Sequence, residues 1–138
     1  MEIERSCGAV VFTVVDGEYR FVIIQSLEGT YGFPKGHMKK YETERQTAVR
    51  EIKEETGLDV KILPGFRQIT EYIIPGNGHL KKVVYFLARY DEQTPECQPE
   101  EIKSISLMSY EEALKVLQYR NSKDVLHRAF YAINKNHY

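Results

Sequence analysis

Between Gly36 and Leu58 the chain commits to one helix with marked ends. Thr43, followed three residues later by Gln46, has the form of a capping box, and Gly57 stands where a helix ending in a left-handed turn needs a residue without a Cβ. Ala48, Val49 and Ile52 supply an apolar stripe at i, i+1 and i+4. On the same helix Glu51, Glu54 and Glu55 fall at i, i+3 and i+4, which at about 3.6 residues per turn sets all of them on one face. Like charges so placed repel by roughly 0.2–0.5 kcal/mol per pair. Arg50, four residues before Glu54, can clamp a carboxylate through its planar fork. An exposed, solvated helix face accounts for part of this charge. Several convergent oxygen ligands are also what a hard divalent cation such as Mg²⁺ requires.

The surrounding sequence limits the fold that can carry this helix. "CGAVVFTVVDGEYRFVIIQS" is two β-branched and aromatic runs joined by Asp16 and Gly17, a pair suited to a tight hairpin. "LEGTYGFPKGH" reads as a loop with at most a short strand near Tyr31 to Phe33. "GFRQITEYII" and "LKKVVYFLARY" are strand-like, separated by the turn-forming "PGNGH", and "IKSISLM" adds another short strand. "SYEEALKVLQYR" opens with Ser109 and Glu112 in capping-box register, and "SKDVLHRAFYAINK" carries an apolar stripe at Val125, Leu126, Ala129, Phe130 and Ile133. Both are expected to be helices. Strands interleaved with single helices predict an α/β fold in which a mixed sheet lies between helices.

At 138 residues the expectation is one domain spanning residues 1–138. A net charge of -1 supplies no global attraction for extended nucleic acid or anionic lipid, so an anion site must come from local basic clusters. Cys7 and Cys97 form no ligand or redox spacing, and "MEIERSCGAV" lacks a basic segment followed by an apolar run, which together suggest a cytoplasmic protein. No stretch approaches the roughly 20 apolar residues of a membrane span. "DEQTPECQPEE" is expected to be a surface loop.

Gly36, Glu42, Arg50 and "REIKEETGL" satisfy every position of G-x5-E-x7-R-E-U-x-E-E-x-G-U, with Ile52 and Leu58 at the aliphatic U positions. At ordinary residue frequencies a chance match has a probability on the order of one in a billion per start site. This is the Nudix box, and the chain resembles the Nudix hydrolases. The resemblance implies an α/β/α sandwich with a mixed sheet, a loop-helix-loop catalytic motif and Mg²⁺-dependent pyrophosphate cleavage, with Mn²⁺ as a possible substitute. It implies that Glu51, Glu54 and Glu55 bind metal and form the base, and that Gly36 lends a backbone carbonyl. It further implies that Arg50 orients the glutamates while Glu42 supports the loop-helix junction.

Outside the box, "FPKGH" resembles the asymmetric diadenosine tetraphosphate hydrolases, which implies that Lys35 and His37 lie at the phosphate chain. "EYII" with "LKKVVYFLARY" extends that similarity, making Tyr72 a candidate base-stacking residue and Lys81 and Tyr85 candidate phosphate contacts. Strand alternation places Lys81, Val83 and Tyr85 on one face, although a half-buried strand tyrosine is the ordinary alternative for Tyr85. The resemblance adds a further carboxylate, Glu101, with Glu100 as its alternative. Phe130 or Tyr131 is left to cover the second face of a base. The chain departs from the subgroup at Tyr31, where Trp is usual, and from many Nudix boxes at Tyr41, where Gly is common. The expected substrate is a dinucleoside polyphosphate, with a nucleoside triphosphate or an RNA 5′ end as alternatives, handled by a monomer or homodimer. A non-catalytic nucleotide-binding module is the remaining class, and the intact set of carboxylates argues against it.

Overall fold

The computed structural model describes residues 1–138. Asp16 and Gly17 both adopt positive φ, 51° and 78°, as a two-residue hairpin turn requires. They join β1 (Ile3–Val15) to β2 (Glu18–Ser26), with Val15 opposite Glu18. The chain continues through β3 (Tyr31–Gly32), β4 (Lys35–His37), α1 (Glu44–Thr56), β5 (Lys61–Ile62), β6 (Gln68–Ile73), β7 (Leu80–Arg89), β8 (Ile102–Met108), α2 (Tyr110–Val116) and α3 (Arg120–Asn136). The eight strands form one sheet. β1 runs parallel to β7 from Ile3 opposite Leu80 to Phe12 opposite Arg89, and the other pairings are antiparallel, so the sheet is mixed.

Both sheet faces are covered, which is why β1 and β7 are almost continuously apolar. Val10, Phe12, Val83, Tyr85 and Leu87 pack with Ala113, Leu117, Val125, Leu126, Ala129 and Ile133 of the α2 and α3 layer. On the opposite face Cys7, Ala9, Val11, Val84, Phe86 and Ala88 pack against Ala48 and Ile52 of α1 and against Leu58. This is the α/β/α sandwich expected from the box. No helix is long and apolar enough to cross a membrane.

Several local expectations need correction. Lys35–His37 is a strand paired with Ser6 to Gly8 of β1. Val49 lies on the exposed side of α1, because the helix turns Ala48 and Ile52 inward and leaves i+1 at the margin. The helix from Tyr110 stops at Val116, and α3 starts at Arg120, before the serine expected to open it. Phe130 stacks on Tyr110 with ring centroids 4.1 Å apart and meets Phe21 edge-on, so its ring belongs to the packing between α2, α3 and the sheet.

Candidate active site

The site is built where β4 lies against α1. The Thr43 hydroxyl accepts from the Gln46 N–H while the Gln46 side chain accepts from the Thr43 N–H, and Gly57 ends the helix at φ 75°. Those two ends hold the Nudix carboxylates in register with β4. Gly36 faces α1, and a Cβ built there would overlap the carboxyl of Glu51, so glycine is what lets that carboxyl lie against the strand.

Arg50 organises the acidic side of the site. Its Nε donates to Glu42 Oε2 at 2.6 Å and its Nη2 to Glu42 Oε1 at 2.9 Å, a bidentate pair. Nη1 donates to Glu51 Oε1 at 2.7 Å and reaches Glu54 Oε2 at 3.2 Å, while Nη2 also donates to the His37 carbonyl at 3.0 Å. Arg50 and the backbone of Lys39 hold the Glu42 carboxyl down at about 2. Glu42 also accepts from the Thr47 hydroxyl, closing the junction that leads into α1.

The three glutamates share one side of α1 but not one environment. Glu54 is the exposed member, Glu51 is largely covered, and Glu55 is buried at 7% exposure. Glu55 Oε1 accepts from the Lys35 N–H at 2.9 Å. Burial pushes its carboxyl up to about 7, with the charges of Glu51 and Glu101 adding to that shift. The acidic groups of the chain do not close into a three-ligand cage, because Arg50 draws Glu51 and Glu54 to itself. The donor set nevertheless fits a hard divalent cation. Glu55 feels the charges of both Glu51 and Glu101, and Glu51 lies against Gly36, so a cation held among these oxygens would offset the burial and the like-charge repulsion that raise Glu55.

Across β1 from the acidic side lies a basic row. Lys35 and His37 alternate with Gly36 along β4 and therefore face away from α1. Lys81, opposite Glu4 on β7, is 5% exposed, and its Nζ lies 3.0 Å from His37 Nε2. Burial lowers the affinity of both lysines for their protons, and Lys35 adds to this at Lys81. Neither ammonium has a carboxylate partner within 4.0 Å. Glu55 and Glu51 act on Lys35, and Glu4 on Lys81, only at longer range, so two partly desolvated ammonium groups are left able to take an anion.

Tyr72 lies opposite Lys81 on β6 and is 45% exposed. Burial raises its hydroxyl pKa, and the nearby Tyr119 and Glu4 raise it further. Tyr119, at the N-cap of α3, is 61% exposed and thus offers a second free ring near the first. Tyr85 does not join this surface. Its ring is 5% exposed and meets Phe33 edge-on at 5.5 Å, so the core takes the side chain expected at the phosphate chain. A separate hollow of about 570 Å³, lined by Phe66, Gln68, Asp124, His127, Arg128 and Tyr131, contains none of these groups. Tyr119 and Glu4 carry no motif or periodicity that would have singled them out.

The Nudix domain matches residues 5–130, and the chain belongs to the Nudix family. It is a Nudix hydrolase, a pyrophosphohydrolase by class. The chain is similar to the asymmetrical bis(5′-nucleosyl)-tetraphosphatase of Sus scrofa, 30% identical over 134 residues that cover 88% of this chain and 90% of that protein. The Mus musculus protein of the same name is 28% identical over the same share of each chain. The crystal structure of a C. elegans Ap4A hydrolase binary complex superposes with a TM-score of 0.86 at 25% identity, covering 96% of this chain and 98% of that one.

Proposed function

We propose that this Nudix hydrolase cleaves diadenosine tetraphosphate asymmetrically, water attacking phosphorus to give ATP and AMP in a Mg²⁺-dependent reaction. The observation that carries the substrate reading is the row of Lys35, His37 and Lys81, in which Lys81 is buried and neither lysine is ion-paired to a carboxylate, leading from the carboxylates toward Tyr72 and Tyr119. A polyphosphate chain needs several cationic contacts in line, and a base needs a flat ring at the end of that line. The names of the relatives agree with it. The protein acts as one domain, as a monomer or homodimer in the cytoplasm, on a free nucleotide and without membrane or extended nucleic acid as partner.

Gly36 through its carbonyl, together with Glu51, Glu54, Glu55 and Glu101, would hold the metal. When bound, Mg²⁺ neutralises charge on phosphoryl oxygens and lowers the pKa of water, and Mn²⁺ can supply the same chemistry. The chain's own residues position and exchange protons. Glu55 is committed to the Lys35 N–H, whereas Glu54 is exposed and held only by the longer contacts to Arg50, so Glu54 is the carboxylate free to accept a proton from the attacking water. Arg50 keeps Glu51 and Glu54 oriented, and Lys35, His37 and Lys81 bind the phosphates on the far side.

Product analysis on diadenosine tetraphosphate, nucleoside triphosphates, an oxidised guanine triphosphate and 5′-triphosphorylated RNA tests the proposal. ATP plus AMP from the tetraphosphate, at the highest kcat/KM of the panel and only with divalent cation, is the expected result. Preferential cleavage of a triphosphate or of the RNA end would overturn the substrate assignment and leave the Nudix class standing.

A further inference from the structure

Glu4 lies outside every motif, yet it makes more contacts with charged and polar side chains of the cleft than any other residue of β1. Its Oε2 sits 2.7 Å from His79 Nδ1 and accepts from Asn77 Nδ2 at 3.2 Å, both from the turn between β6 and β7. Its Oε1 lies 3.4 Å from His37 Nε2. That same nitrogen lies 3.0 Å from Lys81 Nζ. A single imidazole nitrogen either donates its proton or accepts one. Glu4 and Lys81 therefore compete for His37 Nε2: the nitrogen accepts from the ammonium or donates to the carboxylate, but not both. An anion that accepts hydrogen bonds from Lys81 and draws the ammonium off His37 leaves Nε2 free to donate to Glu4.

We infer that Glu4 is a positioning residue, a carboxylate clasped by Asn77 and His79 that anchors the His37 ring while Lys81 turns to the phosphate chain of the substrate. The inference rests on the proposed role of His37 and Lys81 as phosphate contacts. Without the anchor, His37 would lose its only remaining side-chain partner at the moment Lys81 is engaged. The row of Tyr72, Lys81 and Glu4 across β6, β7 and β1 brings the β6–β7 turn into the same unit. The turn then contributes to phosphate recognition through Glu4, without touching the substrate.

Inorganic tripolyphosphate titrated into the chelator-treated protein, followed by the imidazole signals of His37 and His79 in heteronuclear NMR, tests this directly. In the wild type, tripolyphosphate should shift His37 while His79 stays bonded. Glu4→Ala should weaken tripolyphosphate binding about tenfold to a hundredfold, the scale of a misplaced contact group, and should broaden or split the His37 signal. Glu4→Gln, whose amide oxygen still accepts from His79 and Asn77 but whose NH2 cannot accept from His37 Nε2, should keep the turn in place and recover little of the affinity. If Glu4→Ala is too unstable to study, Asn77→Ala and His79→Ala remove the other end of the clasp from an exposed turn and should each weaken binding in part. Wild-type affinity and an unchanged His37 response in all these variants would overturn the positioning role alone. If tripolyphosphate fails to move His37 in the wild type, or Lys81→Met binds it equally well, the phosphate reading fails and the positioning role falls with it.

Discussion

Gly36 and Glu51 touch so closely that a Cβ on the strand would take the place of the Glu51 carboxyl. The atoms a Cβ would meet belong to the end of the Glu51 side chain, which can swing aside without moving backbone. Gly36→Ala should therefore keep the fold and displace the carboxylate. The expected outcome is a loss of roughly a hundredfold in kcat/KM, the scale of a small misplacement at a reacting centre, with a thermal midpoint within a few degrees of wild type. Melting curves beside steady-state kinetics make the comparison, and an undiminished rate would mean that Glu51 is not needed where it stands.

The bidentate pair between Glu42 and Arg50 makes acid stability a property of the loop-helix junction. The Glu42 carboxyl falls from 4.5 to about 2 on folding, first through Arg50 and then through the Lys39 N–H. A depressed folded pKa gives stability that is complete above the unfolded value and drains away as pH falls from 4.5 through about 2. Glu42→Gln should thus be less stable than wild type at neutral pH, with the gap closing as the solution is acidified across that window. Urea unfolding at several pH values reads the gap directly, and a gap independent of pH would remove Glu42 as its source.

The parts of this arrangement that could be read in the sequence are those decided by one or two neighbouring residues. Asp16 with Gly17 specifies the hairpin, and Thr43, Gln46 and Gly57 specify both ends of α1. β4 escapes such reading because it is only Lys35–His37, follows Pro34 and contains Gly36, so that pairing with Ser6 to Gly8 alone makes it a strand. Alternation along β7 correctly groups Lys81 with Tyr85. It carries no information about how far the helical layer extends over that face, and Phe33 closes over Tyr85 from another element. Tyr119 and Glu4 enter the site through neighbours more than 40 residues away in sequence, Tyr119 near Tyr72 and Glu4 bonded to His79 and Asn77.

Burial of Glu55 sets function against stability. Its carboxyl is pushed up to about 7 chiefly by desolvation, so above that pH the metal-free protein carries a buried charge. Glu55→Gln retains an oxygen for the Lys35 N–H and removes that charge. In chelator at pH 8 its thermal midpoint should rise by ~2–4 °C, the shift that about 1 kcal/mol produces in a domain of this size, although hydrolysis with Mg²⁺ should fall by orders of magnitude. Glu54→Gln, exposed and lightly held, should lose most activity with no such gain. A destabilised Glu55→Gln would contradict the desolvation account.

Tyr72 and Tyr119 are the two exposed rings at the far end of the basic row, and the proposed dinucleotide substrate requires a base to rest on at least one of them. Tyr72→Ala should weaken binding of diadenosine tetraphosphate by roughly 1–3 kcal/mol, the measured scale of base–aromatic stacking. If both rings hold one base, Tyr119→Ala should cost a similar amount and the double variant less than the sum, because removing either ring already frees the base. Phe130→Leu should leave binding intact and lower stability, since that ring is spent on Tyr110 and Phe21. Calorimetric titration of the wild type and the four variants with a non-hydrolysable analogue gives the energies. Strictly additive losses would place the rings on different bases of the dinucleotide, and no loss at Tyr72 would move base recognition away from β6 altogether.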